Sequence, residues 1–233
     1  MSERSGKWYF TDLPTMDYQT GWDLQKHLLN LKKEDKNFPD VVLFLEHWPV
    51  FTLGRRGGMQ NLKVSQRLVR QSGIEIIPVE RGGDITYHGP GQLVGYPVIN
   101  LPGNGLKVVD YVGRLEETMI RTVSGWGIIA ARNDLNRGIW VENRKLGSIG
   151  IAVKRGVSFH GFALNVDVSL KPYEWINPCG LKDASMTSMA RETGGPVLLS
   201  QVRIAMRRQM SRIFKINWQS ITLCQLNRLM ETV

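Results

Sequence analysis

The spacing of hydrophobic and polar positions divides the chain into a strand-rich middle with helical flanks. Apolar side chains at helical spacing predict helices at 17–33, 62–72, 108–124 and 198–215. Short β-branched, aromatic or apolar runs predict strands at 41–47, 50–54, 74–80 and 93–101. Residues 138–170 alternate between apolar and polar positions around turn residues and predict two or three antiparallel strands. The pattern therefore predicts an α+β fold rather than a repeated βαβ unit.

The composition is that of an ordinary globular protein. The chain has 233 residues, of which 42% are hydrophobic and 22% are charged. We therefore expect a single domain that spans 1–233. No apolar run approaches the roughly 20 residues of a membrane helix, and two cysteines are too few for a disulfide scaffold. We expect a cytoplasmic protein that does not enter a membrane.

The formal net charge of +9 should attract acidic partners to the surface. The basic residues come in scattered pairs, such as Arg55-Arg56 and Lys154-Arg155, and form no run of five or more. No nucleic-acid-binding motif accompanies the charge. We therefore expect a monomer that binds no nucleic acid.

A glycine-rich stretch from Arg81 to Tyr96, RGGDITYHGPGQLVGY, follows a predicted strand. Glycines let a ligand or another backbone approach closely, so the stretch suits either a tight hairpin or a binding loop. It contains neither GxxxxGK[ST] nor GxGxxG, which argues against the commonest phosphate-binding loops. The side chains of Arg81, Thr86, His88 and Gln92 add directed donors and acceptors, and these favour a pocket over a plain turn.

Two downstream segments carry residues suited to such a pocket. Lys145 lies on a predicted strand, where it is either a solvated cation or an amine desolvated by its apolar neighbours. His160 lies in an apolar strand and precedes a glycine, a setting typical of a buried core histidine as well as of a ligand-binding one. Its Phe-His-Gly triplet parallels the Tyr-His-Gly triplet at 87–89, and two such triplets could bring both imidazoles to one cleft.

The two cysteines occupy different settings. Cys224 lies in the apolar run ITLCQL, which predicts an inert thiol held for packing. Cys179 lies between Pro178 and Gly180, in a turn that exposes the thiol and leaves room for an incoming carbonyl group. Cys179 is therefore the candidate nucleophile. The four histidines and two cysteines show no metal-ligand spacing, so no metal site is expected.

Three segments, in this order, resemble the lipoyl(octanoyl) transferase family: RGGDITYHGPGQLVGYPVINL, RKLGSIGIAVKRGVSFHGFALNVDVSL and INPCGL. The first matches the family signature of Arg-Gly-Gly, two residues, Thr-aromatic-His, and a following Gln and Tyr. The similarity covers about 41–188, while the helical ends at 17–33 and 198–215 add little. The resemblance implies the fold shared by the catalytic domains of biotin and lipoate protein ligases. That fold has a larger mixed or antiparallel sheet and a smaller sheet, flanked by helices.

The resemblance also implies a reaction and the residues that carry it. An octanoyl group would move from acyl carrier protein to a lysine of a lipoyl domain, in a 2-oxoacid dehydrogenase or the glycine cleavage H protein. The family's Cys-Lys dyad falls on Cys179 and Lys145, and no cofactor is implied. The positions implied to bind the acyl substrate are Arg81, Gly82, Gly83, Asp84, Ile85, Thr86, Tyr87, His88, Ser148, Ile149, Gly150, His160, Gly161, Phe162 and Ala163.

Two other functions stay open at this point. ATP-dependent lipoate or biotin ligases share the fold and a glycine-rich loop that begins with arginine, but they activate the acid as an adenylate and need no cysteine nucleophile. A catalytically inactive member could instead be a binding module for acyl carrier protein or nucleic acid. The presence of both Cys179 and Lys145 favours the transferase over either alternative.

Overall fold

The computed structural model describes residues 7–134, 136–177 and 185–231. The strands are β1 (Lys7–Asp12), β2 (Asp40–Leu45), β3 (Val50–Leu53), β4 (Glu75–Pro78), β5 (Ile85–His88), β6 (Gln92–Asn100), β7 (Gly138–Val141), β8 (Arg144–Lys154), β9 (Val157–Asn165), β10 (Ser185–Met186) and β11 (Asn217–Ser220). The helices are α1 (Tyr18–Glu34), α2 (Gln66–Gln71), α3 (Val108–Val123), α4 (Met189–Thr193), α5 (Leu199–Phe214) and α6 (Leu223–Glu231). None of these described helices is long and apolar enough to cross a membrane.

Within the described ranges, eight strands form a large mixed sheet. Its order is β10-β8-β9-β6-β2-β1-β11, and β7 also pairs with β8. The neighbours β2, β6, β9, β8 and β7 are antiparallel, whereas β1 pairs in parallel with both β2 and β11. A tight turn joins β8 to β9 at Arg155-Gly156, where both residues have positive φ.

Helices cover both faces of this sheet, so its central strands are apolar throughout. All six residues of β2 are buried. Phe44 lies in the core beneath α3 and α5, together with Met206 of α5. Leu43 lies in the core on the opposite face, together with Leu28 of α1. Burial on two sides is the reason that a continuous apolar run, rather than an alternating one, marks this strand.

A smaller sheet stands beside the large one and carries part of the glycine-rich stretch. Its described strands have the order β4-β3-β5, with β3 parallel to β4 and antiparallel to β5. Ile85 and Tyr87 of β5 pack in a core of their own with Tyr173. Thr86 and His88 alternate with them along the strand and therefore face the other way.

The predicted α+β fold, with a larger mixed sheet, a smaller sheet and flanking helices, is confirmed. Residues 138–170 contain three antiparallel strands, as the alternation predicts. The helix predicted at 62–72 is shorter, because Leu62 forms a β-bridge with Ile176 and Ser65 caps the helix that follows. The extent of the single domain, 1–233, stays a prediction.

Sequence analysis missed several short elements and misjudged one cysteine. The strands β1, β5 and β11 and the helix α6 were not predicted, because each is short and gives only a weak periodic signal. The prediction that Cys224 is packed was wrong, since Cys224 is exposed on α6. That helix buries Leu226 and Met230 instead, on a face that Cys224 does not share.

Candidate active site

A pocket lies where the large sheet meets the loop that leads into β5. The space between its walls is about 510 Å³ when the open mouth is included. Its wall is made by β5, β6, β8, β9, the loop before β5 and the start of α1. The lining residues are Tyr18, Arg81, Gly82, Gly83, Asp84, Thr86, His88, Val94, Tyr96, Asn136, Ser148, Ile149, Gly150, His160, Gly161, Phe162 and Ala163.

The structure brings all but two of the implied substrate-binding positions to this one pocket. The exceptions are Ile85 and Tyr87, which point into the core of the small sheet because alternate residues of β5 face opposite sides. Four lining residues were not predicted: Tyr18, Val94, Tyr96 and Asn136. Tyr96 alone carried a sequence signal, as the last residue of the glycine-rich stretch.

The Arg81 side chain is buried and its guanidinium is fixed against β3. Nη2 donates to the carbonyl and hydroxyl oxygens of Thr52 at 2.8 and 2.7 Å, and Nη1 donates to the carbonyl oxygen of Gly82 at 3.0 Å. The N–H of Gly82 in turn donates to the carbonyl oxygen of Ile151 on β8, at 2.8 Å. Arg81 and its neighbour therefore attach the small sheet to the large sheet at the edge of the pocket.

Two glycines allow this close crossing of loops. Gly83 has φ of 87°, in the left-handed region that favours glycine. A Cβ atom on Gly54 would overlap the carbonyl oxygen of Gly83 and would lie 2.8 Å from Nη1 of Arg81. The loop after β3 can pass this close to the loop before β5 because Gly54 carries no side chain.

Gln92 is the centre of a buried hydrogen-bond network behind His88. Its Oε1 lies 2.7 Å from Nδ1 of His88, and its Nε2 donates to Oδ1 of Asn165 and to the hydroxyl of Tyr173, both at 2.9 Å. Asn165 donates onward to the carbonyl oxygen of Thr187 at 2.9 Å. The network fixes the imidazole of His88 and ties the first sequence motif to the segment after β10.

Three of the four histidines lie around Tyr18 and Tyr96. The ring of Tyr18 is centred 4.9 Å from that of His47 and 5.9 Å from that of His88, and its hydroxyl lies 3.4 Å from Nδ1 of His160. The hydroxyl of Tyr96 lies 2.7 Å from Nε2 of His47. His88 and His160 thus line one pocket. Among the described residues, no group of three His, Cys, Asp or Glu side chains is arranged to hold a metal ion.

Burial favours the uncharged form of these imidazoles. It lowers the pKa of His47 to about 4 and, with smaller contributions from His47 and Arg81, it lowers that of His88 to about 3. Burial also lowers the pKa of His160, against the opposing effect of Glu80. The Glu80 carboxylate lies 3.5 Å from Nε2 of His160, a contact too long for a strong hydrogen bond. The histidine side of the pocket is therefore neutral at pH 7, which suits an uncharged ligand.

Lys145 on β8 is 1% exposed, so the alternative of a solvated cation is wrong. Its Nζ donates to Oδ1 of Asn136 at 2.7 Å and lies 5.3 Å from the centre of the Trp140 ring. Because Asn136 lines the pocket, the amine lies directly behind the pocket wall. A buried amine one side chain away from a ligand cavity is suited to proton transfer.

The candidate nucleophile Cys179 lies outside the described residues, as do its immediate neighbours. The chain is described again on either side. Before it, the N–H of Asn177 donates to the carbonyl oxygen of Asn61 at 2.8 Å. After it, Met186 pairs with Lys145 where β10 runs parallel to β8. The chain that carries Cys179 therefore continues beside Lys145.

Comparison with known proteins gives a consistent picture. The family model "Lipoyl protein ligase A/B catalytic domain" matches residues 17–211. An octanoyltransferase of Desulfotalea psychrophila is 47% identical over 188 residues, which cover 80% of this chain and 84% of the relative. An octanoyltransferase of Syntrophobacter fumaroxidans is 42% identical over 224 residues, covering 96% and 98%. The solved bipartite lipoate protein ligase of Thermoplasma acidophilum has a TM-score of 0.75 at 16% identity, covering 97% of this chain and 91% of that one.

The two-sheet α+β architecture is that of the lipoate protein ligase fold. The chain belongs to the lipoyl protein ligase A/B catalytic domain family, whose model spans most of its length. The relatives compared above are octanoyltransferases, and the chain is an acyltransferase enzyme. The resemblance drawn from the three sequence segments is thereby confirmed.

Proposed function

We propose that the chain transfers an octanoyl group from acyl carrier protein to a lysine of a lipoyl domain, through a thioester on Cys179. The acceptors would be lipoyl domains of 2-oxoacid dehydrogenases or the glycine cleavage H protein, and the enzyme would act as a monomer in the cytoplasm. The observation that carries the proposal is the buried amine of Lys145, which lies behind the pocket wall. The chain that carries Cys179 continues in β10, which pairs with the strand of Lys145. The names of the octanoyltransferase relatives are the reason for proposing an octanoyl group as the acyl group.

The character of the pocket supports an acyl substrate. Val94, Phe162 and Ala163 contribute apolar wall, and Gly150 and Gly161 leave space beside them. The neutral imidazoles of His88 and His160 add polar surface without net charge. A hydrocarbon chain can therefore lie against these two imidazoles without burying a charge on either of them.

The first half of the reaction forms the acyl-enzyme. The Cys179 thiolate attacks the thioester carbonyl carbon of octanoyl carrier protein, and the bond from that carbon to the carrier sulfur breaks. The Lys145 ammonium gives its proton to the departing carrier thiolate, and Lys145 is left as a neutral amine. The positive charge of the Lys145 ammonium favours the thiolate form of Cys179. The thiolate is a stronger nucleophile than the thiol. One thioester replaces another, so this exchange needs no external energy source.

The second half of the reaction forms the amide. The acceptor lysine attacks the Cys179 thioester, its proton passes to the Lys145 amine, and the Cys179 thiolate leaves. Asn136 holds Nζ of Lys145 on the pocket side through its Oδ1 atom. Because the thioester is consumed to make a more stable amide, ATP is not required.

The positive charge of the surface supports the proposal that the partner proteins are acidic. Arg56 and Arg137 line an open cleft that adjoins the pocket and shares Gly82, Asn136 and Gly150 with it. With a formal net charge of +9, this surface would steer acidic carrier proteins toward the pocket mouth.

Intact-mass spectrometry after incubation with octanoyl carrier protein tests the proposal. Wild type should gain the mass of one octanoyl group, and Cys179→Ala should not. Cys224→Ala is the matched control, because Cys224 is exposed on α6, and this variant should be acylated like wild type. Absence of the adduct in wild type, together with ATP-dependent transfer from free octanoate, would instead indicate a ligase. Absence of both activities would indicate a binding module.

A further inference from the structure

His160 interrupts the regular structure of β9 at the pocket wall. Its φ is 55°, in the left-handed region that non-glycine residues seldom adopt, and its side chain is 1% exposed. The pairing of the described strands β6 and β9 is interrupted at the same place. Gly95 pairs with Phe162 and Ile99 pairs with Ser158, while the residues between these pairs do not pair in register. Backbone held in this region is strained and persists only where its surroundings fix it.

Gln25 of α1 provides the bond that fixes this backbone. Its Oε1 accepts from the N–H of His160 at 2.7 Å, and its Nε2 donates to the carbonyl oxygen of Gly21 at 3.2 Å. Gln25 is 0% exposed, and a fully buried glutamine is uncommon unless its polar atoms are bonded. It also interacts with the hydroxyl of Tyr96, a second residue of the pocket wall.

The conformation of His160 determines where the next residue lies. Gly161 lines the pocket, and a Cβ atom there would overlap the carbonyl oxygen of Gly95 on β6. The backbone of β9 is thus pressed against β6 at this point. Helix α1 therefore fixes the positions of His160 and Gly161, which line the pocket. It does so through Gln25, whose side chain does not line the pocket.

We infer that Gln25 is a positioning residue for acyl-chain binding, because it holds His160 and Gly161 as the floor of the pocket. The inference rests on the proposed function, in which this pocket receives the octanoyl chain. If the bond to Gln25 is lost, the N–H of His160 loses its buried acceptor and β9 relaxes toward extended geometry. That movement displaces Gly161 and alters the fit of the acyl chain, while the contacts of Lys145 stay as they are.

The test measures steady-state kinetics with hexanoyl, octanoyl and decanoyl carrier protein. Gln25→Met keeps the length of the side chain and removes the hydrogen bonds to His160 and Gly21 together with the interaction with the Tyr96 hydroxyl. We expect its KM for octanoyl carrier protein to rise about tenfold, the effect of losing one well-made buried hydrogen bond. Its kcat should change little, and its discrimination among the three chain lengths should narrow. Gln25→Glu keeps an acceptor oxygen for His160 and should recover part of the selectivity. Gln19→Met, at an exposed position of the same helix, is the control.

A variant of the pocket wall separates failure of this inference from failure of the proposed function. Ala163→Leu narrows the pocket directly and should disfavour the longer chains. If Ala163→Leu changes chain-length selection and Gln25→Met keeps the wild-type KM and selection, the inference is wrong and the acyl pocket stands. If Gln25→Met only lowers kcat and thermal stability, Gln25 is a structural residue and the inference is again wrong. If neither variant changes selection, the acyl chain does not bind in this pocket.

Discussion

The side-chain amide of Gln92 donates to Oδ1 of Asn165 at 2.9 Å and so joins β6 to β9 through buried polar atoms. On one side the network continues to the imidazole of His88, and on the other to the carbonyl oxygen of Thr187. Thr187 donates to the carbonyl oxygen of Lys145 at 3.0 Å. The glycine-rich motif and the strand of the buried amine are therefore parts of one hydrogen-bonded unit.

Replacing Gln92 by leucine should destabilise the protein. The change removes the Gln92 bonds to His88, Asn165 and Tyr173, although the last two stay bonded to each other, and a buried polar group left unbonded costs about 1–3 kcal/mol. We expect a loss of about 3 kcal/mol in the free energy of unfolding, measured by urea denaturation. Gln71→Leu, at an exposed position, should change it little. Equal stability of the two variants would show that the network contributes nothing to folding.

Replacing Lys145 by methionine should abolish most of the acyl transfer. Methionine fills the buried space but neither stabilises a thiolate nor accepts a proton, and proton transfer contributes typically about 10²- to 10⁴-fold to rate. We expect kcat/KM to fall by about that factor, measured by transfer of octanoate to a lipoyl domain. Lys154→Met on the same strand, where the side chain is exposed, should keep wild-type activity. A Lys145→Met enzyme of normal rate would contradict the role proposed for the amine.

The buried His47 should make stability depend on pH. Its pKa is about 4 in the folded protein, against 6.5 ordinarily, so between these values the unfolded chain holds a proton that the folded chain does not. The free energy of unfolding should therefore fall as the pH drops from about 6.5 to about 4, by on the order of 3 kcal/mol from this group. Denaturation series at several pH values test this expectation. His47→Gln should reduce the slope, whereas His27→Gln, at an exposed position of α1, should leave it unchanged.

Two glycine-to-alanine variants should have opposite effects on stability. A methyl group on Gly54 would overlap the loop at Gly83, so Gly54→Ala should displace Arg81 and lower both stability and activity. Gly113 lies within α3 with open space around it, and alanine there should stabilise the helix by roughly 0.5–1 kcal/mol. Thermal unfolding and transfer rates measure both effects. A Gly54→Ala variant as stable and active as wild type would argue against the close crossing of the loops.

Sequence analysis predicted the main helices and the middle strands because their apolar periodicity is local. The helices α1, α3 and α5 each carry a buried face at regular spacing. Among the described strands, β11 pairs only with β1, more than 200 positions away along the chain. Its sequence NWQS has no alternating pattern, so nothing local marks it as a strand.

In the candidate site, too, only residues with a local sequence signal were predicted. Arg81, His88 and His160 were found because glycines and aromatic residues flank them in recognisable motifs. Tyr18, Asn136 and Gln25 were missed because each reaches the pocket, or the residues behind it, from an element without a motif. Their positions depend on how α1 and the loop before β7 pack on the sheet. This packing cannot be predicted from the residues next to them in the sequence.

The contact between Gly95 and Gly161 restricts how this sequence can change over time. A side chain at Gly161 would overlap the backbone at Gly95, and a side chain at Gly95 would overlap the ring of Phe162. A single substitution at either glycine therefore meets an obstacle that only a further change on the neighbouring strand can remove. A change of pocket shape at this contact therefore has to alter β6 and β9 together.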